Sequence, residues 1–363
     1  MKVLVAGDYC PRGRVAELFE ESEYDRVLGE VIPYTRQADF SIVNLECPIC
    51  NGAEKPIRKW GPNLRSSYHG VEALRKAGFH CVTLANNHFL DYGPEGVENT
   101  LKLCGDYGIE TVGGGRNLSE ASAVFYKELG GKILAVINCC EHEFSIATET
   151  SAGSNPLNPV RQFYAIQEAR KKADVILVIV HGGHEHFHLP SPRMQETYRF
   201  FIDAGADAVV SHHQHCFSGY ETYKGKPIFY GLGNFCFDSP DVKNTSWNDG
   251  FMLQIEFGSK EIRTEIYPYK QCSERPAIEI LDHDALDKRL IEINTIIENE
   301  ELLKQEVRKY YENEKKLMSR LLRYRGILPL LQSRKKVTQI QNYISCEAHR
   351  EKLEYYFENL YGE

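Results

Sequence analysis

Five short polar clusters carry the residue types that a pair of divalent cations needs: Gly7-Asp8, Asn44-Leu45-Glu46, Asn86-Asn87-His88 with Asp91, His181-Gly182-Gly183, and His212-His213-Gln214-His215. Carboxylates, imidazoles and amide carbonyls are ligands for hard or borderline divalent ions. Asp8 would hold one cation, and Glu46 is placed to bridge two, one carboxylate oxygen to each. The Asn87 carbonyl, His181 and His213 would complete the second position, with His215 returning to the first. Two cations about 3.5 to 4 Å apart can grip both oxygens of a phosphoryl group and lower the pKa of a trapped water, so that hydroxide attacks in line. His88 adjoins Asn87 and cannot easily point the same way. Asp91, three residues on, would hold one of its ring nitrogens, and the imidazolium would stabilise charge on the reacting group or protonate the leaving oxygen. His88 and Asp91 are therefore the expected catalytic pair.

These clusters must be brought together by the elements before them. Each follows a β-like apolar run: Val3-Leu4-Val5-Ala6, Phe40-Ser41-Ile42-Val43, Cys81-Val82-Thr83-Leu84, residues 175–180, and Ala208-Val209-Val210. Polar residues at strand ends converge along one edge of a sheet. Strand and helix patterns alternate over residues 1–272, which predicts a mixed α/β layered domain. A helix is expected over 71–77, stopped by Gly78, and another is opened by Pro94 and ends near Gly105. Strands are expected at 133–137, 174–180 and 207–211. Residues 227–230, 250–257 and 262–267 are expected as antiparallel additions, because short loops separate them. Residues 145–159, rich in Ser, Thr, Asn, Pro and Gly, read as a loop over the site.

After Pro276 the pattern changes. Leu286, Leu290, Ile293, Ile297, Leu303, Val307, Tyr310 and Leu317 recur at helical spacing with dense charge between them. Residues 273–363 are therefore expected to form a helical C-terminal extension, divided by Gly326 and Pro329. Its basic residues Lys315, Lys316, Arg320, Arg323, Arg325, Arg334, Lys335 and Lys336 could meet an anionic surface or a protein partner, although a solvated helix face is the plainer reading.

The 363 residues are 42% hydrophobic and 26% charged, enough for a sizeable core. A formal charge of -8 argues against broad nucleic-acid binding, which needs clustered cations. The chain runs from Met1 straight into the first cluster, too short a stretch for a signal-peptide core, and no apolar run approaches a membrane span. A cytoplasmic protein is the expectation. The 11 cysteines are odd in number and scattered, which suits reduced thiols, and Cys47-Pro48-Ile49-Cys50 stands without a second pair.

At this point the residues resemble a known family. Asn87-His88-Phe89-Leu90-Asp91-Tyr92-Gly93 resembles the Asn-His-Glu-Phe-Asp motif of 5′-nucleotidases, which are calcineurin-like metallophosphoesterases. The fuller series adds Asn-Leu-Glu, Ala-Asn-Asn-His with Leu-Asp-Tyr-Gly, His-Gly-Gly-x-Glu, His-His-Gln-His, and residues 226–235 reading Lys-Pro-Ile-Phe-Tyr-Gly-Leu-Gly-Asn-Phe. That series is similar to the CapA/PgsA family of bacterial capsule and poly-γ-glutamate synthesis proteins, over about residues 1–270. The resemblance implies a four-layer α/β/β/α sandwich of metallophosphoesterase type. It implies two divalent ions, Mn, Zn or Fe, on Asp8, Glu46, Asn87, His181, His213 and His215, with His88 and Asp91 as the catalytic pair. In the metallophosphoesterase pattern a ligand histidine stands two residues after the first aspartate, whereas this chain has Cys10, which we read as a buried thiol.

The implied activity is metal-dependent hydrolysis of a phosphate ester, on an anionic small molecule or polymer, in capsule or poly-γ-glutamate metabolism. Two alternatives share the site: an accessory subunit that binds polymer or a synthase without hydrolysis, and a γ-glutamyl amide hydrolase. Lys55, Arg58, Lys59 and Arg65 follow the Glu46 cluster, where cations could hold an anionic substrate. Arg65 is the expected substrate contact, since Gly61-Pro62-Asn63-Leu64-Arg65 resembles a family stretch at the site rim. Asn234 is expected to reach the site from a strand end. Glu185 is expected to orient ligands, His184, His186 and His188 to lie at the rim, and Trp60 and Trp247 to pack structurally.

Overall fold

The computed structural model describes residues 1–322 and 334–359, the side chains of 314–322 and 334 excepted. Arg323, Arg325, Gly326 and Pro329 lie outside the described residues, as do the side chains of Lys315, Lys316, Leu317, Arg320 and Arg334.

Two sheets form the centre. The first runs Ile278–Ile280, Ile262–Gln271, Asp249–Phe257, Lys2–Tyr9, Phe40–Leu45, Cys81–Thr83, Glu110–Val112, with Asn234–Cys236 also paired to Lys2–Tyr9. The second runs Tyr220–Tyr223, Lys226–Phe229, Ala208–His212, Val175–His181, Lys132–Cys140, Phe125–Leu129. The period of two in a strand sends alternate side chains to opposite faces. Along the first strand, Val3 and Val5 enter a core shared with Val136, Leu177, Ile179 and Val210 of the second sheet. Leu4 and Ala6 point the other way, among Val15, Phe19, Val71, Leu74 and Val97 of helices Arg14–Glu20, Tyr68–Lys76 and Gly93–Asp106. On the far side, helices Pro159–Arg170 and Pro192–Asp203 cover the second sheet with Ile166, Met194, Tyr198 and Phe201. The order helix, sheet, sheet, helix is the four-layer sandwich that the sequence resemblance implies.

The central strands are parallel, so their carboxyl ends point one way. Lys2–Tyr9 is parallel to Phe40–Leu45 and to Asn234–Cys236, and Val175–His181 is parallel to both of its neighbours. The strand Lys226–Phe229 departs from expectation. It is antiparallel to Tyr220–Tyr223 but parallel to Ala208–His212, because the turn at Lys224-Gly225, both at positive φ, folds a hairpin back beside that strand. Residues 145–159 are largely irregular, and Gly153–Ser154 pairs with Gly114–Gly115.

Beyond the last strand come helices Asp287–Glu298, Glu300–Leu322, Arg334–Ser345 and Glu347–Asn359. Leu286 and Leu290 enter the core between the sheets, while Ile297, Leu303, Val307 and Tyr311 join the outer core of the second sheet. The final helix is tied down by polar contacts: Glu347 Oε1 lies 2.6 Å from His142 Nδ1, and Arg193 bridges Glu141 at 2.6 Å and Glu351 at 3.0 Å. Among the described residues no helix is long and apolar enough to cross a membrane.

Each buried apolar side chain contributes about 1.5–3 kcal/mol of transfer free energy, and a domain's net stability is only about 5–15 kcal/mol. A chain ended at Pro276 is therefore expected to aggregate, and Leu290→Ala to lose about 2–5 kcal/mol in urea unfolding. A truncated chain that stayed monomeric and unfolded cooperatively would contradict this role of the helices.

Candidate metal centre

The first sheet brings Asp8, Asn44 and Asn234 side by side. Asp8 is in register with Asn44 on one neighbour and Asn234 on the other. The register shifts between Ala6 and Asp8, an irregularity that re-aims the side chain at a strand end. Gly7 permits the approach of the 233 turn: a Cβ on it would stand 1.9 Å from the Gly233 oxygen. In the second sheet His181 is in register with His212. The chain then turns sharply, with His213 at φ 96° and His215 at φ 55°. Such left-handed geometry costs about 1–3 kcal/mol for a non-glycine residue and persists only where surroundings enforce it.

Glu46 lies at the centre. It is fully buried, and neither carboxylate oxygen has a hydrogen-bond partner. Its neighbours are imidazoles, His181 Nε2 at 3.5 Å and His215 Nε2 at 3.7 Å. Burial pushes the Glu46 carboxyl well above its ordinary range, and the Asp8 carboxylate pushes it further. Burial also raises the Asp8 carboxyl, against the opposing pull of His215 and a hydrogen bond from Asn44 Nδ2 at 2.8 Å.

The donor atoms converge in two groups that share Glu46. In one, His181 Nε2 lies 3.1 Å from Asn87 Oδ1 and 3.1 Å from His213 Nδ1. Ligands about 2.1 Å from a tetrahedral ion are about 3.4 Å apart, so these separations match a ligand cage. In the other, Asp8, Glu46 and His215 offer ligand atoms within 4.8 Å of one another. Buried oxygen and nitrogen atoms grouped at this spacing around the unpartnered Glu46 carboxylate fit divalent cations.

Further residues aim these ligands. Asn234 Oδ1 takes His215 Nδ1 at 3.0 Å, and its Nδ2 donates to the carbonyls of His215 and Trp247. That leaves His215 Nε2 toward Glu46, so Asn234 stands behind a ligand instead of reaching substrate space. Asn44 Nδ2 lies 3.2 Å from His181 Nδ1, which leaves Nε2 for the cage. Glu143 Oε1 lies 3.5 Å from His213 Nε2 and fixes that ring from its far nitrogen. A carboxylate behind a metal-binding imidazole raises its basicity. Glu143 escaped the sequence reading, although it follows a strand whose last residue, Cys140, is in register with His181. His212 belongs to the last of the five polar clusters but had no role there: both ring nitrogens are buried without hydrogen-bond partners, Nδ1 lies 3.6 Å from Asp8, and burial pulls its pKa down to about 3.

Beside the cage, His88 Nδ1 is 2.6 Å from Asp91 Oδ2, which also accepts from the Leu64 amide at 2.7 Å. Lys59 joins them, its buried Nζ paired with Asp91 Oδ1 and 3.1 Å from His88 Nδ1. Burial lowers the His88 pKa, Lys59 lowers it further, and Asp91 opposes them. Of the four loop cations, then, Lys59 is the one brought to the site. Arg65 is exposed, over the Tyr92 ring at 5.3 Å.

Glu185 stands at the mouth within ligand reach of His213 and His215. His184 turns away to the Tyr311 hydroxyl at 2.9 Å, and His188 to the Phe217 carbonyl at 2.6 Å. Trp247 packs on His215 with ring centroids 5.1 Å apart. Cys10 lies in the helix-side core, its thiol against that of Cys47, and all 11 cysteines are free and buried.

The family of bacterial capsule synthesis proteins named PGA_cap matches residues 2–239, which contain every residue of the cage. The chain belongs to that family. This PGA_cap protein is 32% identical over 246 residues to the capsule biosynthesis protein CapA of Bacillus anthracis, covering 66% of the chain and 60% of that relative. It is 32% identical over 240 residues to the PGA biosynthesis protein CapA of Bacillus subtilis, covering 64% of the chain and 62% of the relative. The matches thus span about 60% of these relatives' length. A 5′-nucleotidase precursor structure from Thermus thermophilus aligns with TM-score 0.46 and 12% identity, over 80% of this chain and 57% of that one.

His213→Ala is expected to lose bound metal by elemental analysis. Glu143→Gln should keep metal in the cage around Glu46 but bind it about 10- to 100-fold more weakly in a chelator competition. Unchanged metal content in the first variant would remove His213 from the centre.

Proposed function

We propose that this PGA_cap protein is a metal-dependent hydrolase that cleaves a phosphate ester of an anionic substrate in capsule or poly-γ-glutamate metabolism. The observation that carries the reading is the pairing of two groups: a cage of buried ligand atoms around the unpartnered Glu46 carboxylate, and the His88–Asp91 pair beside it. A site built only to bind cations has no need of the second.

Asp8, Glu46 and His215 would hold one ion, and Glu46, Asn87, His181 and His213 the other. Bound there, two divalent ions would supply Lewis acidity, neutralising phosphoryl oxygens and making water a better nucleophile at neutral pH. The chain's own residues do the remainder. Asp91 fixes the His88 ring through Nδ1, so Nε2 is the nitrogen left to hold a proton or pass one to the leaving oxygen. Lys59 balances the buried Asp91 charge and adds positive potential where an anion must arrive. Burial of the cage keeps bulk water from competing for these groups.

The CapA relatives' names place them in capsule and PGA biosynthesis, which supports an anionic polymer, its precursor or its fragment as the substrate. The same ligands can serve attack on a γ-glutamyl amide, so the substrate screen includes both bond types.

His88→Ala is expected to retain metal and lose turnover of phosphate esters by about 10²–10⁴-fold. Full activity in that variant would reject its catalytic role. Hydrolysis of γ-glutamyl amides alone would reassign the bond cleaved, and no hydrolysis of either by the metal-loaded protein would leave polymer binding as the function.

A further inference from the structure

A second cluster of ligand atoms lies where the C-terminal helices meet the site wall. Glu143, Cys346 and His349 offer a carboxylate oxygen, a sulfur and a ring nitrogen within 4.8 Å of one another. Cys346 immediately precedes helix Glu347–Asn359 and His349 lies in its first turn, while Glu143 comes from the segment that follows strand Lys132–Cys140. Cys346 is buried, and its sulfur receives the backbone N–H of His349. Burial and the Glu143 and Glu141 carboxylates nonetheless push this thiol well up, and it donates to Glu141 Oε2 at 3.6 Å, so a bound cation would have to supply the stabilisation of a thiolate. The His349 ring packs against the Tyr343 ring, with centroids 5.0 Å apart. Asn342, one turn before Cys346, is also buried. Its Nδ2 is 3.5 Å from Glu143 Oε2, and its Oδ1 has no hydrogen-bond partner.

We propose that Glu143, Cys346 and His349 bind a further metal ion, separate from the cage around Glu46, and that this ion fastens the C-terminal helices to the site wall. The donor set of one sulfur, one imidazole and one carboxylate selects zinc, or cobalt in its place, over magnesium or calcium. A fourth ligand is available from the Asn342 amide oxygen or from water. The position gives the ion a consequence for the main site. Lys59, Glu143, Phe144, Thr338, Asn342 and Ser345 line a cavity of about 200 Å³ between the loops and helix Arg334–Ser345. Glu143 faces His213 as well, so the ion would fix both that cavity wall and the carboxylate behind a ligand of the cage. The inference stands whether or not the cage catalyses hydrolysis.

The test uses the thiolate. The cage around Glu46 holds oxygen and nitrogen donors only, so a thiolate-to-cobalt charge-transfer band in the near ultraviolet reports this cluster. The full-length protein, stripped by chelator and titrated with Co²⁺, should develop the band. It should be lost in Cys346→Ser and kept in His213→Ala and Cys10→Ser. No band in the wild type, a band that persists in Cys346→Ser, or a band lost in Cys10→Ser would each overturn the proposal. Should Cys346→Ser fail to fold by circular dichroism, His349→Gln decides. A rise of at least about tenfold in the Co²⁺ concentration for half-development of the band supports the site, and an unchanged titration overturns it.

Discussion

The Glu46 carboxylate is the group around which the site is built. Isolating a carboxylate from water without partners costs several kcal/mol, and a protein meets that cost by neutralising the group or by pairing it. Here no backbone amide, hydroxyl or cationic side chain is offered. The neighbours are imidazoles and a second carboxylate, better suited to sharing a cation than to donating hydrogen bonds. His213 and His215 add a further cost by adopting left-handed backbone angles. Both features are unfavourable in isolation, and both become intelligible if bound cations turn the cage into a favourable structure.

The fold is the means of assembling it. Parallel strands bring their carboxyl ends to one edge, and two stacked sheets set two such edges face to face. Asp8 and Glu46 come from the first sheet, while His181, His213 and His215 come from the second. Register sets which residues meet: Asp8 stands beside Asn44 and Asn234, each of which spends its amide on orienting an imidazole or the aspartate. The C-terminal helices then contribute twice. They bury apolar surface of the second sheet and the space between the sheets, and they place Cys346 and His349 against Glu143.

Much of this was legible in the sequence, for physical reasons. Apolar runs that end in Asp, Glu, Asn or His are weak signals one by one and informative as a series. A layered α/β domain and the convergence of Asp8, Glu46, Asn87, His181, His213 and His215 could therefore be read from their order, while the four-layer sandwich came from the family resemblance. Residues whose role depends on register or on distant packing could not. Glu143 sits in an unremarkable Glu-His-Glu stretch, and only the pairing of Cys140 with His181 brings it to His213. Lys59 was one cation among four in a loop, and its burial against Asp91 is decided by how that loop folds over residues 88–91. Asn234 lies on the right strand, but its amide is committed to His215. The parallel placement of Lys226–Phe229 was hidden because a short loop signals an antiparallel hairpin while saying nothing about the strand on the other side.

The most direct test of the central claim is the unfolding free energy of wild type and Glu46→Gln, each with excess Mn²⁺ or Zn²⁺ and each with chelator. If Glu46 is a carboxylate held for cations, metal should raise wild-type stability by several kcal/mol. Glu46→Gln should lose most of that gain and, in chelator, be at least as stable as the wild type, because a neutral amide carries neither the cost of burying a charge nor that of taking up a proton to avoid it. A wild type whose stability ignores metal, together with a variant less stable under both conditions, would contradict the account and make Glu46 an ordinary structural residue.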